Sequence, residues 1–139
     1  MPNFSGNYEH TIDQKSRLQL PAEFRADLGE TFCAYIPLDH SAFIQLMTQE
    51  AFDEMVRDFV ASAEGNREEQ RDGKRTIFRN MEKVTQDKQG RITLSERFCR
   101  RARLESKARL VGVDDFIEIC SPNLHDDDAV DERFAHSGF

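Results

Sequence analysis

Apolar positions along the chain follow two alternating spacings, and the order in which they do so occurs twice. Phe4 to Ile12 reads as extended, with Tyr8 and Ile12 facing inward. Asp13 to Ser16 is short and polar, a turn, after which Arg17 to Leu20 alternates and places Leu18 and Leu20 on one face of a strand. Pro21 suits the first position of a short helix over "PAEFRADL", which Gly29 closes as a C-cap. Phe32 to Leu38 and Ala42 to Met47 read as two strands joined by a turn at Asp39 to Ser41. Thr48 then caps the clearest helix, in which Phe52, Met55, Val56, Phe59, Val60 and Ala63 recur at three- and four-residue intervals on one face. Such a stripe marks a helix packed on a core. "SAEGNREEQRDGKR" is polar, holds two glycines and reads as a loop or linker, and "TIFRN" as a short helix or a lead-in to the next strand.

The second half runs through the same order. Lys83 to Gln86 is extended, Asp87 to Gly90 is a turn, and Arg91 to Leu94 is a strand. Ser95 caps a short helix through Ala102, and Ala108 to Val113 with Phe116 to Cys120 makes a hairpin around Asp114-Asp115. Ser121 and Pro122 open a last, acidic helix. Asp13 matches Asp87, Arg17 matches Arg91, Leu20 matches Leu94 and Phe24 matches Phe98, all at one offset. "FIEIC" matches "FIQLM" at an offset one residue shorter. A unit of strand, turn, strand, short helix, hairpin and helix therefore recurs over most of the chain. The expected segments are 1–62 as the first repeat, 63–79 as a linker or short helical connection, 80–134 as the second repeat, and 135–139 as a flexible tail. With 139 residues in all, each half is too small to bury enough surface alone, so the halves are expected to share one core in an α+β fold.

Charge changes the picture. The net charge of −7 argues at first against a nucleic-acid partner, but it is unevenly spread. Lys74 to Arg109 holds 12 Lys/Arg against 4 Asp/Glu, a net of +8. Thr48 to Asp72 is net −5 and Asp114 to Phe139 is net −7. Such a chain can present a positive face while its total is negative. No apolar run approaches the length that spans a bilayer, and "MPNFSGNYEH" lacks the pattern of a signal peptide, so a cytoplasmic location is expected.

Candidate chemistry is concentrated in the duplicated turn. Cys33, Cys99 and Cys120 are widely spaced, with no CxxC pair, and read as small reduced side chains. His10 and His40 lack partners at ligand spacing, and no metal or cofactor is expected. No nucleophile elbow or phosphate loop supports an enzyme. Each turn, however, places an Asp four residues before an Arg. The carboxylate can accept backbone N–H bonds and also orient the guanidinium. Lys15, Arg17, Lys88 and Arg91 then cluster at the turns, and Gly90 permits a backbone angle that other residues resist. By spacing alone the element reads first as a plain structural hairpin, since an Asp–Arg pair is common. Arg97, Arg100, Arg101 and Arg103 crowd the second short helix and would meet DNA, an acidic neighbouring subunit, or solvent. The acidic run Asp126 to Asp128 with Asp131 and Glu132 would repel DNA, rest on that basic helix, or stay solvated.

"GNYEHTIDQKSRLQLPAEFR" from Gly6, followed by "DKQGRITL" from Asp87 and "LVGVDDFIEI" from Leu110, resembles the MraZ family, bacterial transcriptional regulators linked to the division and cell-wall gene cluster. The family belongs to the AbrB-like, swapped-hairpin group of DNA-binding proteins. The resemblance implies two tandem AbrB-like half-barrels sharing a pseudo-symmetric swapped-hairpin β-barrel core. It implies a ring-like homo-oligomer that binds direct repeats of double-stranded DNA in the promoter of its own operon, in the cytoplasm at the nucleoid. Carried over by position, Arg17 and Arg91 would make base or backbone contacts, Asp13 and Asp87 would orient them, Lys15 and Lys88 would meet phosphate, and Gly90 would support its turn. An oligomeric swapped-barrel scaffold without DNA is the alternative. Three features depart from the family pattern. Ser16 stands where glycine is usual, which predicts a different turn geometry or weaker binding in the first copy. Ser95 stands where proline is common, and the connection from Glu64 to Lys74 is unusually polar. The resemblance further predicts that Ser16→Gly leaves DNA binding equal or better in a gel-shift titration, a clear loss assigning Ser16 a role of its own.

Overall fold

The computed structural model describes residues 2–62 and 65–123. Its elements in chain order are β1 (Asn7–Thr11), β2 (Arg17–Gln19), α1 (Ala22–Leu28), β3 (Thr31–Tyr35), β4 (Ile44–Met47), α2 (Gln49–Ser62), α3 (Arg67–Arg79), β5 (Met81–Thr85), β6 (Arg91–Thr93), α4 (Glu96–Arg101), β7 (Lys107–Val113) and β8 (Phe116–Cys120). The class is α+β, with antiparallel pairing throughout the two sheets. The larger sheet has six strands in the order β1-β7-β8-β4-β3-β5, and β2 pairs with β6 in a separate two-stranded ladder.

That order reads the same from both ends once β5 to β8 are taken as the counterparts of β1 to β4. Each half hands its first strand to the other: β1 pairs with β7, and β5 pairs with β3. The register makes the symmetry explicit. At the sheet centre Gln45 faces Glu118, its own counterpart, and in the ladder Leu18 faces Ile92, likewise its counterpart. A pseudo-two-fold axis thus passes through both places. The core follows from it. Leu18, Leu20, Phe24, Ile44 and Leu46 from the first half pack with Ile92, Leu94, Phe98, Ile117 and Ile119 from the second in one buried cluster. Phe24 anchors α1 there through edge-on contacts with Phe4 and Tyr8, at 5.6 and 5.2 Å between ring centres.

On the opposite face of the sheet a smaller cluster of Cys33, Tyr35, Met47, Ala51, Phe52 and Ile77 lies under α2 and α3. The alternation of a strand explains the split, since Cys33 and Tyr35 point to one side of β3 while Phe32 and Ala34 point to the other. Met55, Val56 and Phe59 of the expected stripe pack against this cluster, and the Thr48 hydroxyl accepts the Ala51 N–H as the cap should.

Three sequence expectations are corrected. The polar stretch read as a loop is the helix α3, capped by Asn66, whose side chain accepts from the Glu69 N–H at 2.9 Å. Glu68 and Glu69 in its first turn and Arg79 in its last suit the helix dipole. Gly73 is not a breaker there. An added Cβ would run into the Phe59 ring, so the glycine marks where α3 approaches α2 closely. Pro21 precedes α1 rather than occupying its first position, with ψ of 139°. β3 and β4 are also shorter than the alternation suggests: the Ile36 N–H still reaches the Asn80 carbonyl in register with β5, and Pro37 then has no N–H to carry the ladder on. The expected acidic helix after Pro122 lies outside the described residues.

Leu18 and Ile92 are 0% and 1% exposed. Truncating either to Ala is expected to cost about 3 kcal/mol in chemical denaturation. Because they face one another, the double variant should cost less than the sum, through a shared cavity. Full additivity would contradict the pairing.

Candidate nucleic-acid interface

The two Asp-x-x-x-Arg turns precede β2 and β6, and they are built bond for bond alike. In the first, the Asp13 N–H donates to the Arg17 carbonyl at 3.0 Å and the Ser16 N–H donates to the Asp13 carbonyl at 3.0 Å. In the second, the Asp87 N–H donates to the Arg91 carbonyl and the Gly90 N–H to the Asp87 carbonyl, both at 2.9 Å. The Asp13 carboxylate accepts the backbone N–H groups of Lys15 and Arg17 and, at 2.7 Å, the Arg17 Nε–H. Asp87 accepts from Gln89, Arg91 and, at 2.8 Å, the Arg91 Nε–H. Ser16 has φ of 59° and Gly90 φ of 78°, so both occupy the left-handed region. The expectation of a different geometry for the first turn is therefore overturned. Serine accepts the angle that glycine takes freely, at a steric cost of about 1–2 kcal/mol.

The ladder sets where these turns point. Leu18 and Ile92 are buried, so Arg17 and Gln19 of β2 lie on its outward face with Arg91 and Thr93 of β6. Arg17 opposes Thr93 and Arg91 opposes Gln19, making the two arginines diagonal neighbours about 7–8 Å apart. Their side chains are 36% and 34% exposed. Each carboxylate engages Nε and leaves the terminal amino groups of the guanidinium for a further partner. The ladder continues into the turns: the Leu20 N–H donates to the Gly90 carbonyl and the Leu94 N–H to the Ser16 carbonyl. Each turn is thereby fixed to the opposite half of the molecule.

The sequence-predicted site residues come together except in one respect. Lys15 and Lys88 are exposed on the turns but not at equivalent places, since the counterpart of Lys15 is Gln89 and that of Lys88 is Gln14. Of the arginines on α4, Arg97 donates to the Arg79 carbonyl at 2.6 Å and closes the end of α3, and Arg101 donates to the carbonyls of Ser41 and Pro37 at 2.6 Å. These two are structural, while Arg100 on α4 and Arg103 just beyond it are exposed. The acidic run from Asp126 lies outside the described residues. Among the described residues no group of three or more His, Cys, Asp or Glu is placed to hold a metal ion.

Two supporting contacts escaped the sequence reading. The Gln86 side chain donates to the carbonyls of Arg25 and Gly29 at 3.0 and 2.6 Å, satisfying the end of α1 from the other half. Beneath the second turn, the Arg25 Nε donates to the Leu20 carbonyl at 3.0 Å, and a Cβ added to Gly90 would run into this side chain. The counterpart of Arg25 is Cys99, whose Sγ lies 4.0 Å from the Leu94 carbonyl. Burial pushes the Cys99 thiol up, and a hydrogen bond with the Ser16 side chain opposes that shift. The long side chain is thus matched with the glycine and the short one with the serine. The signal was present in the sequence as two differences at equivalent positions.

The backbone N–H of Arg17 is the largest influence holding the Asp13 carboxyl below the usual carboxylate value; slight desolvation opposes it, and the Arg17 side chain adds to it. Asp87 is lowered in the same way by Arg91. A depressed pKa in the folded state contributes stability above the unfolded value, and this is lost as pH falls through the folded one. Carboxyl NMR titrations of both residues should therefore show midpoints below the ordinary aspartate range, with the Arg17 and Arg91 Nε–H signals moving in step. Midpoints at the ordinary value would contradict the geometry. Gly90→Ser is expected to cost about 1–2 kcal/mol in thermal unfolding, from the angle and the displaced Arg25, with partial recovery when Arg25→Cys is added.

The chain matches the family model described as "MraZ protein, putative antitoxin-like" over residues 3–71 and 77–128. It is 38% identical over 122 residues to a protein of Desulfitobacterium hafniense named Transcriptional regulator MraZ, covering 87% of this chain and 82% of that one. Proteins of the same name from Mycoplasma mobile and Carboxydothermus hydrogenoformans are 34% and 33% identical over 116 and 121 residues, covering 84% and 87% of this chain and 77% and 82% of theirs. Sequence, paired turns and these matches agree that the chain belongs to the MraZ family.

Proposed function

We propose that this chain is a sequence-specific DNA-binding transcriptional regulator that assembles as a ring-like homo-oligomer on direct repeats in the promoter of its own division and cell-wall operon. The observation that carries this reading is the duplicated, carboxylate-held arginine on one exposed face of the β2–β6 ladder. Arg presents the donor geometry suited to the O6 and N7 acceptors of guanine in the major groove. Asp13 and Asp87 fix each guanidinium in place before DNA arrives, so less side-chain freedom is lost on binding. Lys15 and Lys88 beside them supply phosphate contacts, which are salt-sensitive and carry no sequence information. The names of the relatives favour a regulator over an enzyme. The strand exchange between the halves supports two AbrB-like half-barrels, 1–62 and 80–134, joined through 63–79. DNA as partner places the protein in the cytoplasm at the nucleoid. Among the described residues no helix is long and apolar enough to cross a membrane.

One module makes few contacts, and copies on repeated sites gain avidity. A gel shift on the DNA upstream of its own gene tests the reading. Arg17→Ala and Arg91→Ala should each weaken binding about ten- to hundredfold with the oligomer intact, and binding should fall steeply with salt. Unchanged binding in the double variant would remove the site assignment, and a monomer mass in light scattering would remove the ring.

A further inference from the structure

The two turns are alike in their backbone and unlike in what lies behind them. Behind the second turn stands Arg25, half-buried on α1, with its stem passing over Gly90. Its Nε is committed to the Leu20 carbonyl, while its terminal amino groups have no protein acceptor among the described residues. Arg25 and Lys88 line the same shallow groove, together with Gly29, Gln86 and Glu30. Asp87, the other carboxylate at this groove, is already engaged by Arg91. Behind the first turn the equivalent place is held by Cys99, which carries no cation.

We propose that Arg25 is a further phosphate-contacting residue, paired with Lys88 at the second turn, and that the Ser16–Cys99 pair leaves the first turn without its equivalent. The inference rests on the DNA-binding reading above and adds to it a functional difference between the turns. The geometry supports it in three ways. The bond from Nε to Leu20 holds the guanidinium plane, so its outer edge presents two donors at a fixed place, the arrangement that suits a phosphate. Leu20 in turn bonds the Gly90 carbonyl, so Arg25, the strand and the turn form one connected unit. Gly90 is the condition for this arrangement, because a side chain there would displace Arg25. Glu30 at the groove opposes an incoming phosphate and tempers the contact.

The test measures binding of the full chain to its upstream DNA across a salt series. The Arg25→Met variant keeps the apolar stem and removes the charge. The slope of log affinity against log salt should shrink by about 0.9 per bound subunit, with affinity near physiological salt down about fivefold per subunit. Arg25→Lys should restore the slope, and Glu30→Gln should raise affinity. Installing the arrangement on the first turn, with Ser16→Gly and Cys99→Arg together, should steepen the slope by a similar amount. Melting midpoint and oligomer mass of each variant separate these effects from misfolding. A slope unchanged in Arg25→Met, with Arg91→Ala still impaired, would overturn this inference and leave the DNA-binding reading standing. A reduced slope in Arg25→Met that Arg25→Lys does not restore would assign Arg25 to packing alone and overturn it too. Failure of the unaltered chain to bind DNA would remove the broader reading, and this one with it.

Discussion

The contact between Leu18 and Ile92 sets the rest of the molecule in order. These residues face one another across a ladder of three residues per strand, and both are buried. Because side chains alternate along a strand, burying this pair turns Arg17, Gln19, Arg91 and Thr93 outward together. The same register delivers the carbonyls of Ser16 and Gly90 to Leu94 and Leu20, so each turn is held by the half to which it does not belong. A slip of one residue would send the arginines into the core and the aliphatic pair into water. The apolar interior and the cationic surface therefore enforce a single alignment, and the polar face needs no separate means of placing its side chains.

Short-range features were legible in the sequence and long-range ones were not. The Asp-to-Arg spacing closes within one turn, so the bonds from Arg17 to Asp13 and from Arg91 to Asp87 follow from the residues themselves. Thr48 and Ser95 were readable as caps for the same reason. α3 was missed because a glycine in a polar stretch is normally a breaker, and only the position of Phe59 shows that Gly73 makes room for a ring. The exchange of β1 and β5 was invisible in spacing, since their partners lie in the other half. Gln86 went unnoticed as a site residue because the carbonyls it supports, on Arg25 and Gly29, are distant in sequence, and Arg25 because Gly90, over which its stem passes, is equally distant. Ser16 misled in the opposite sense: the preference of glycine for left-handed angles is a matter of cost, and serine bears that cost here beside Cys99.

The duplication has a further meaning for specificity. Two identical chains related by a true two-fold axis must carry identical turns. Within one chain each turn varies independently, subject only to the residue packed behind it. The combinations Gly90 with Arg25 and Ser16 with Cys99 are two solutions to one local packing problem. The constraint falls on pairs across the pseudo-axis, so a change on one side calls for an answering change on the other.

The handing-over of β1 also bears on how the chain reaches this state. Asn7 to Thr11 pairs with Lys107 to Val111, so β1 waits during synthesis for a strand far later in the chain. The counterpart of β7 in the first half, β3, is by contrast produced early but belongs beside β5. Such contacts give a high contact order, and closing long loops before any reward is received slows folding. Until β7 arrives, β1 exposes unpaired backbone edges, and β3 offers them a decoy with the counterpart pattern of the true partner. β1 can therefore take its native place only after β7 has been synthesised, and until then its open edge is a hazard that the completed pairing removes.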